Sequence, residues 1–148
     1  MKKLILLTTV ITFALIFNAC GKDDETTKPS INNLEIGHDN SKIGYAGSDF
    51  HIEAEIHAPG RIDRIVIETH YTDSHDYKNE YKNGDHDNEW EFKKTYTDYS
   101  GLKNTRFHKH IDIPEDIKTG DYHFHFKVVD EEGYTEEIHE DIEIKGNE

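Results

Sequence analysis

Eleven of the 148 residues are histidine, and their spacing says more than their number. His108 and His110 are two residues apart, and so are His123 and His125. On a β-strand, residues two apart leave the same face, about 6.6–6.8 Å apart along the axis. Each pair can therefore aim two imidazoles at one region. Neutral imidazole with carboxylate suits Zn²⁺ in tetrahedral geometry, and also Cu²⁺ or Ni²⁺. Carboxylates are abundant: 31 Asp and Glu face 17 Lys and Arg, for a net charge of −14. Such a surface repels nucleic-acid phosphates and tolerates cations. Clustered histidines also gain charge as pH falls through about 6.5, which makes a pH response a further reading.

Whether these pairs meet depends on the strands that carry them. From Ile31 onward the pattern has period two, with turn residues between the runs. Ile31, Leu34 and Ile36 predict an edge strand. Phe50, Ile52, Ala54 and Ile56 alternate with His51, Glu53, Glu55 and His57, and Pro59-Gly60 closes that strand. Ile65, Ile67 and Thr69 oppose Val66, Glu68 and His70. Phe107, Ile111 and Ile113 oppose His108, His110 and Asp112, with Pro114 as the stop. Tyr122, Phe124, Phe126 and Val128 oppose His123, His125 and Lys127. Ile138, Ile142 and Ile144 oppose His139, Asp141 and Glu143. Trp90-Glu91-Phe92 starts a weaker strand reaching towards Tyr96. No amphipathic helix is legible. These runs predict an all-β, immunoglobulin-like β-sandwich of about seven strands over residues 30–148.

Every strand histidine falls opposite the apolar residues, so none is expected in the core. If Glu131-Glu132-Gly133 is a hairpin loop, Asp130 pairs with Tyr134, His125 lies opposite His139, and His123 lies opposite Asp141. In a standard sandwich the end of the Ile65–His70 run meets the start of the His123 strand. One surface then presents His70, His123, His125, His139 and Asp141. The other sheet places His108 and His110 beside His51 or His57. His75 and His86 lie in the long polar stretch from Tyr71 to Glu89 and can fold over either group. That stretch lacks the spacing of a calcium loop. Trp90, Tyr71, Tyr77, Tyr81, Tyr96 and Tyr99 are candidates for stacking sugars or for plugging the sandwich ends.

Catalysis has little support: the five serines sit in no nucleophile motif, and outer sheet faces offer no evident pocket. The chain reads as a non-enzyme.

At the N-terminus, Lys2 and Lys3 precede an apolar run from Leu4 to Phe17, of signal-peptide length. Phe17-Asn18-Ala19-Cys20-Gly21 resembles a lipobox, which makes residues 1–19 a lipoprotein signal peptide and Cys20 the acylated residue. Cys20 is the single cysteine, so it has no disulfide partner. Cleavage removes Lys2 and Lys3 and no acid, leaving −16. Residues 20–29 read as lipidated cysteine and flexible acidic tether. Lys22-Asp23-Asp24-Glu25 resembles the export signal of surface lipoproteins in Bacteroidota, implying a lipid anchor in the outer membrane and exposure at the cell surface; the periplasmic face is the alternative.

Several of these segments together resemble one known family. They are His108-Lys109-His110-Ile111-Asp112-Ile113-Pro114, then Gly120-Asp121-Tyr122-His123-Phe124, then Asp130 and Gly133, with Pro29-Ser30-Ile31, Phe50 to Ala54 and Ile65 to His70. The resemblance is to the lipoprotein family of domain of unknown function 4625. It implies a membrane-anchored immunoglobulin-like domain with recurrent histidines and no assigned activity. By analogy, Tyr122 takes the tyrosine-corner role. The function expected is binding of a divalent ion, zinc foremost, for delivery to an outer-membrane receptor. The alternative is a non-catalytic adhesion, assembly or glycan-binding module.

Overall fold

The computed structural model describes residues 28–72 and 88–147. Residues 1–27, which hold the expected signal peptide, Cys20 and most of the expected tether, lie outside the described residues, as do His75, His86, Tyr77 and Tyr81. Among the described residues eight strands form: β1 (Ser30–Ile36), β2 (Ile43–Tyr45), β3 (Asp49–His57), β4 (Ile62–Tyr71), β5 (Phe92–Tyr96), β6 (Asn104–Asp112), β7 (Gly120–Asp130) and β8 (Thr135–Lys145). A single 3₁₀ turn, His38–Asn40, sits between β1 and β2.

The strands make two sheets, ordered β1-β3-β6 and β2-β8-β7-β4-β5. In the lettering of the immunoglobulin arrangement, the first sheet follows A-B-E and the core of the second follows G-F-C. The strand beyond the expected seven is β2, whose three residues pair in parallel with Glu143 to Lys145 of β8. Three residues carry too little periodicity to be read as a strand. Gly44 makes the strand possible, because a Cβ there would stand 2.5 Å from Ile113 Cδ1 and 2.8 Å from Ile144 Cδ1.

The core takes one face of each strand. Phe50, Ile52, Ala54 and Ile56 from β3 meet Ile65, Ile67, Tyr122, Phe124, Phe126 and Val128 from the opposite sheet. A one-residue slip of β7 would turn its four apolar residues to solvent, at roughly 1.5–3 kcal/mol each. That outweighs any contact between exposed imidazoles, so the core sets the register and the histidines follow. Two inward positions depart from the expected pattern. Ile138 is only half-buried. Lys109 lies between buried Phe107 and Ile111, with its ammonium 5.7 and 5.5 Å from the ring centres of Tyr96 and Tyr99.

Trp90 and Tyr96 are buried, and Tyr71 and Tyr99 are half-buried against the core, so these four aromatics help to plug the sandwich. The corner before β7 forms as the analogy implied. Tyr122 is fully buried; its hydroxyl donates to Lys118 O at 2.6 Å and accepts from Trp90 N at 3.3 Å. At the β7–β8 turn, Asp130 Oδ1 accepts from Glu132 N and Tyr134 N at 3.1 and 2.7 Å, and Gly133 takes φ +90°. This closes the loop at Glu131-Glu132-Gly133 and fixes the pairing of every residue behind it.

Tyr122→Phe removes the partner of the buried Trp90 N–H and of the part-buried Lys118 carbonyl. The expected loss is about 1–3 kcal/mol of unfolding free energy, read as a lower urea midpoint at unchanged slope.

Candidate metal centre

The outward faces of β3 and β6 carry the tightest group. Their register sets His51 opposite His110 and Glu53 opposite His108, so three imidazoles share one patch. His51 Nδ1 stands 3.5 Å from His110 Nε2, and His108 Nε2 stands 3.3 Å from the same atom. The three ring centres are 5.1, 5.1 and 5.3 Å apart. Of the two histidines considered beside this pair, only His51 joins them. His57 lies opposite Asn104, and its Nδ1 is 2.5 Å from Asn104 Oδ1.

Carboxylates stand behind two of these rings. Asp49, two residues before His51 on the same face, bonds His110 Nδ1. Its carboxyl is held below the ordinary value chiefly by that hydrogen bond. With the Asp49 carboxylate as acceptor, His110 Nδ1 is the donor, and in the neutral ring the lone pair of Nε2 points into the cluster. Glu35 Oε1 lies 3.6 Å from His51 Nε2, on the side away from the cluster. The His51 side chain is only 12% exposed. Burial lowers its pKa first, Glu35 raises it, and His108, His110 and His38 lower it further, for a net decrease from 6.5.

The second group lies on the outer face of the five-stranded sheet. Here the cross-strand register is the one expected: His125 opposite His139, His123 opposite Asp141, and His70 opposite His123. The contacts divide these residues. His125 and His139 have ring centres 4.5 Å apart and share a carboxylate, Glu137, whose Oε1 is 3.4 Å from His125 Nδ1 and 3.8 Å from His139 Nε2. His123 Nδ1 instead engages Asp141 at 2.7 Å. His70 packs on His123 and His125, at 5.3 and 5.2 Å between ring centres. Lys127, 3.0 Å from the other Glu137 oxygen, holds that carboxyl below its ordinary value.

Among the described residues, two sets therefore have ligand atoms close enough to hold an ion: His51, His108 and His110, and His125, Glu137 and His139. Sequence reasoning missed Glu137, although it stands two residues before His139 and so on the same face. Asp49 had the same signal before His51. It also missed His38, which lies on no strand; its ring stacks on His51 at 5.5 Å between centres.

No curated protein matches the chain. Its fold is similar to two crystal structures of OgpA from Akkermansia muciniphila. The wild-type structure aligns at TM-score 0.51 and 11% identity, over 78% of this chain and 28% of that one. The catalytically inactive form, solved in complex with an O-glycopeptide (glycodrosocin) substrate, aligns at TM-score 0.52 and 10% identity, over 86% and 32%. The chain thus spans about a third of the OgpA chains, and the likeness is one of fold. Residues 18–145 match the family described as Domain of unknown function (DUF4625).

Because its pKa is depressed, neutral His51 favours the folded state above pH 6.5; that contribution is lost as pH falls through the folded midpoint. In a two-dimensional NMR titration His51 is expected to titrate below 6.5, lower still in Glu35→Gln and higher in His108→Ala. A midpoint at or above 6.5 in the unaltered protein contradicts this environment.

Proposed function

The chain belongs to the DUF4625 family, and from that premise we propose that it is a membrane-tethered protein that binds a divalent metal ion, zinc foremost, through histidines on the outside of its sandwich. The observation that carries this reading is the approach of His51 Nδ1 and His108 Nε2 to His110 Nε2, at 3.5 and 3.3 Å. Two nitrogens each about 2.0–2.1 Å from one Zn²⁺, at the tetrahedral angle, stand about 3.3 Å apart. Asp49 and Glu35 behind two of the rings supply the outer carboxylates that orient metal-bound histidines and fix their tautomers.

The set of His125, Glu137 and His139 is a second and weaker site, because Glu137 already serves Lys127. Acid weakens both, since protons compete for the same nitrogens. A lipid anchor at Cys20, with an outer-membrane location exposed at the cell surface, fits a carrier that captures ions and passes them to an outer-membrane receptor. The surface position of both sites favours binding over hydrolysis. A second reading, a glycan-facing surface module, draws on the fold likeness to a protein solved with an O-glycopeptide.

Equilibrium dialysis of the whole chain against Zn²⁺, Cu²⁺ and Ca²⁺ tests the reading. Expected are sub-micromolar Zn²⁺ binding, its loss in His51→Ala and His110→Ala, and weakening by about 10–100-fold in Asp49→Asn. Weak binding, reduced equally by removal of any histidine, would overturn it.

A further inference from the structure

We infer that His38 is a fourth ligand at the His51–His108–His110 centre, so that the ion there sits in a closed shell of four imidazoles. The inference rests on the metal-binding reading and adds to it the coordination number and the chemistry that follows.

Ring geometry carries the argument. A metal-bound imidazole has its ring centre about 3.2 Å from the ion, so two such rings at the tetrahedral angle have centres about 5.2 Å apart. The three strand histidines stand at 5.1, 5.1 and 5.3 Å. His38 stands 5.5 Å from His51 and 6.2 Å from His110. His38 is therefore beside the set of three whose ligand atoms already converge, and rotation of its side chain is the movement that would bring a nitrogen to the fourth position.

The turn bearing His38 is itself held beside the cluster. Residues 37–42 carry the chain from β1 in one sheet to β2 in the other. Gly37 takes φ +73° and ψ +166°, a conformation essentially confined to glycine, while its N–H donates to His51 O at 2.8 Å. Asp39, Asn40 and Lys42 follow with φ of +55°, +53° and +57°. Three non-glycine residues in the left-handed region within four positions are costly, and the surroundings enforce them. Asn40 Oδ1 accepts from Ile36 N at 3.1 Å, Glu35 Oε1 from Asp39 N at 3.0 Å, and Lys42 Nζ pairs with Glu140 at 2.5 Å. Glu35 therefore serves both the loop and His51, tying the turn to the ring on which His38 stacks.

Four neutral imidazoles leave the ion its full charge of two, which the Glu35 and Asp49 carboxylates behind the rings offset. Four protein ligands also leave no coordination position for water. That suits holding and handing over an ion, not hydrolysis, for which an open position is required.

Co²⁺ loaded into the whole chain in place of zinc reads this directly. Expected is an intense tetrahedral visible spectrum that excess azide leaves unchanged. In His38→Ala, affinity should fall at least about tenfold, a scale that even outer-shell losses reach, and azide should now shift the spectrum. His57→Ala, at an exposed strand histidine bonded to Asn104, should match the unaltered chain. An azide response in the unaltered chain, or a His38→Ala variant with unchanged affinity and spectrum, overturns the four-ligand shell and leaves a three-histidine site standing. Failure to bind Co²⁺ at all overturns the metal reading with it.

Discussion

Nine consecutive residue pairs join β3 to β6, from Asp49 against Asp112 to His57 against Asn104. Within that ladder His51 and His110 are opposed, and His108 is one step along the same face. The histidines do not hold the ladder in place; Phe50, Ile52, Ala54, Ile56, Phe107 and Ile111 do, each buried on the inner face. A shift by one residue would bury imidazoles and expose phenylalanines, so the geometry of the cluster is inherited from the hydrophobic core. The rigidity of a packed sheet is what keeps the three side chains near a common point.

Electrostatics then distinguishes two clusters of similar composition. At His51–His108–His110 the carboxylates stand behind the rings, on Asp49 and Glu35, so they fix proton positions and leave the inward nitrogens free. At His125–Glu137–His139 the carboxylate is inside the set and already engaged by Lys127. The strongly acidic chain favours cations everywhere on its surface, but a diffuse field selects no site. Directed lone pairs do.

The fold was legible because the core strands alternate cleanly. The hairpin arithmetic that sets His125 opposite His139 held because Asp130 and Gly133 have the chemistry that a tight turn needs. Legibility failed where alternation is absent. Ile43-Gly44-Tyr45 is too short to show a period and pairs in parallel with a distant strand. His38 sits in a turn whose left-handed backbone has no periodic signature, so nothing in its spacing placed it over His51. On the second sheet, Asp141 was the acid singled out, yet it engages His123, and Glu137 is the carboxylate shared by the His125–His139 pair. Pairing register predicts which residues face each other; diagonal contacts decide which of them converge.

The anonymity of the fold makes the side chains decisive, since a sandwich of this kind serves many purposes. X-ray absorption at the zinc edge of the protein loaded with less than one equivalent of zinc, so that only the tighter site fills, tests the central claim most directly. The account predicts a first shell of nitrogen alone at about 2.0–2.1 Å, with the outer-ring scattering of several imidazoles. A shell dominated by oxygen, or one with a single imidazole, would contradict it.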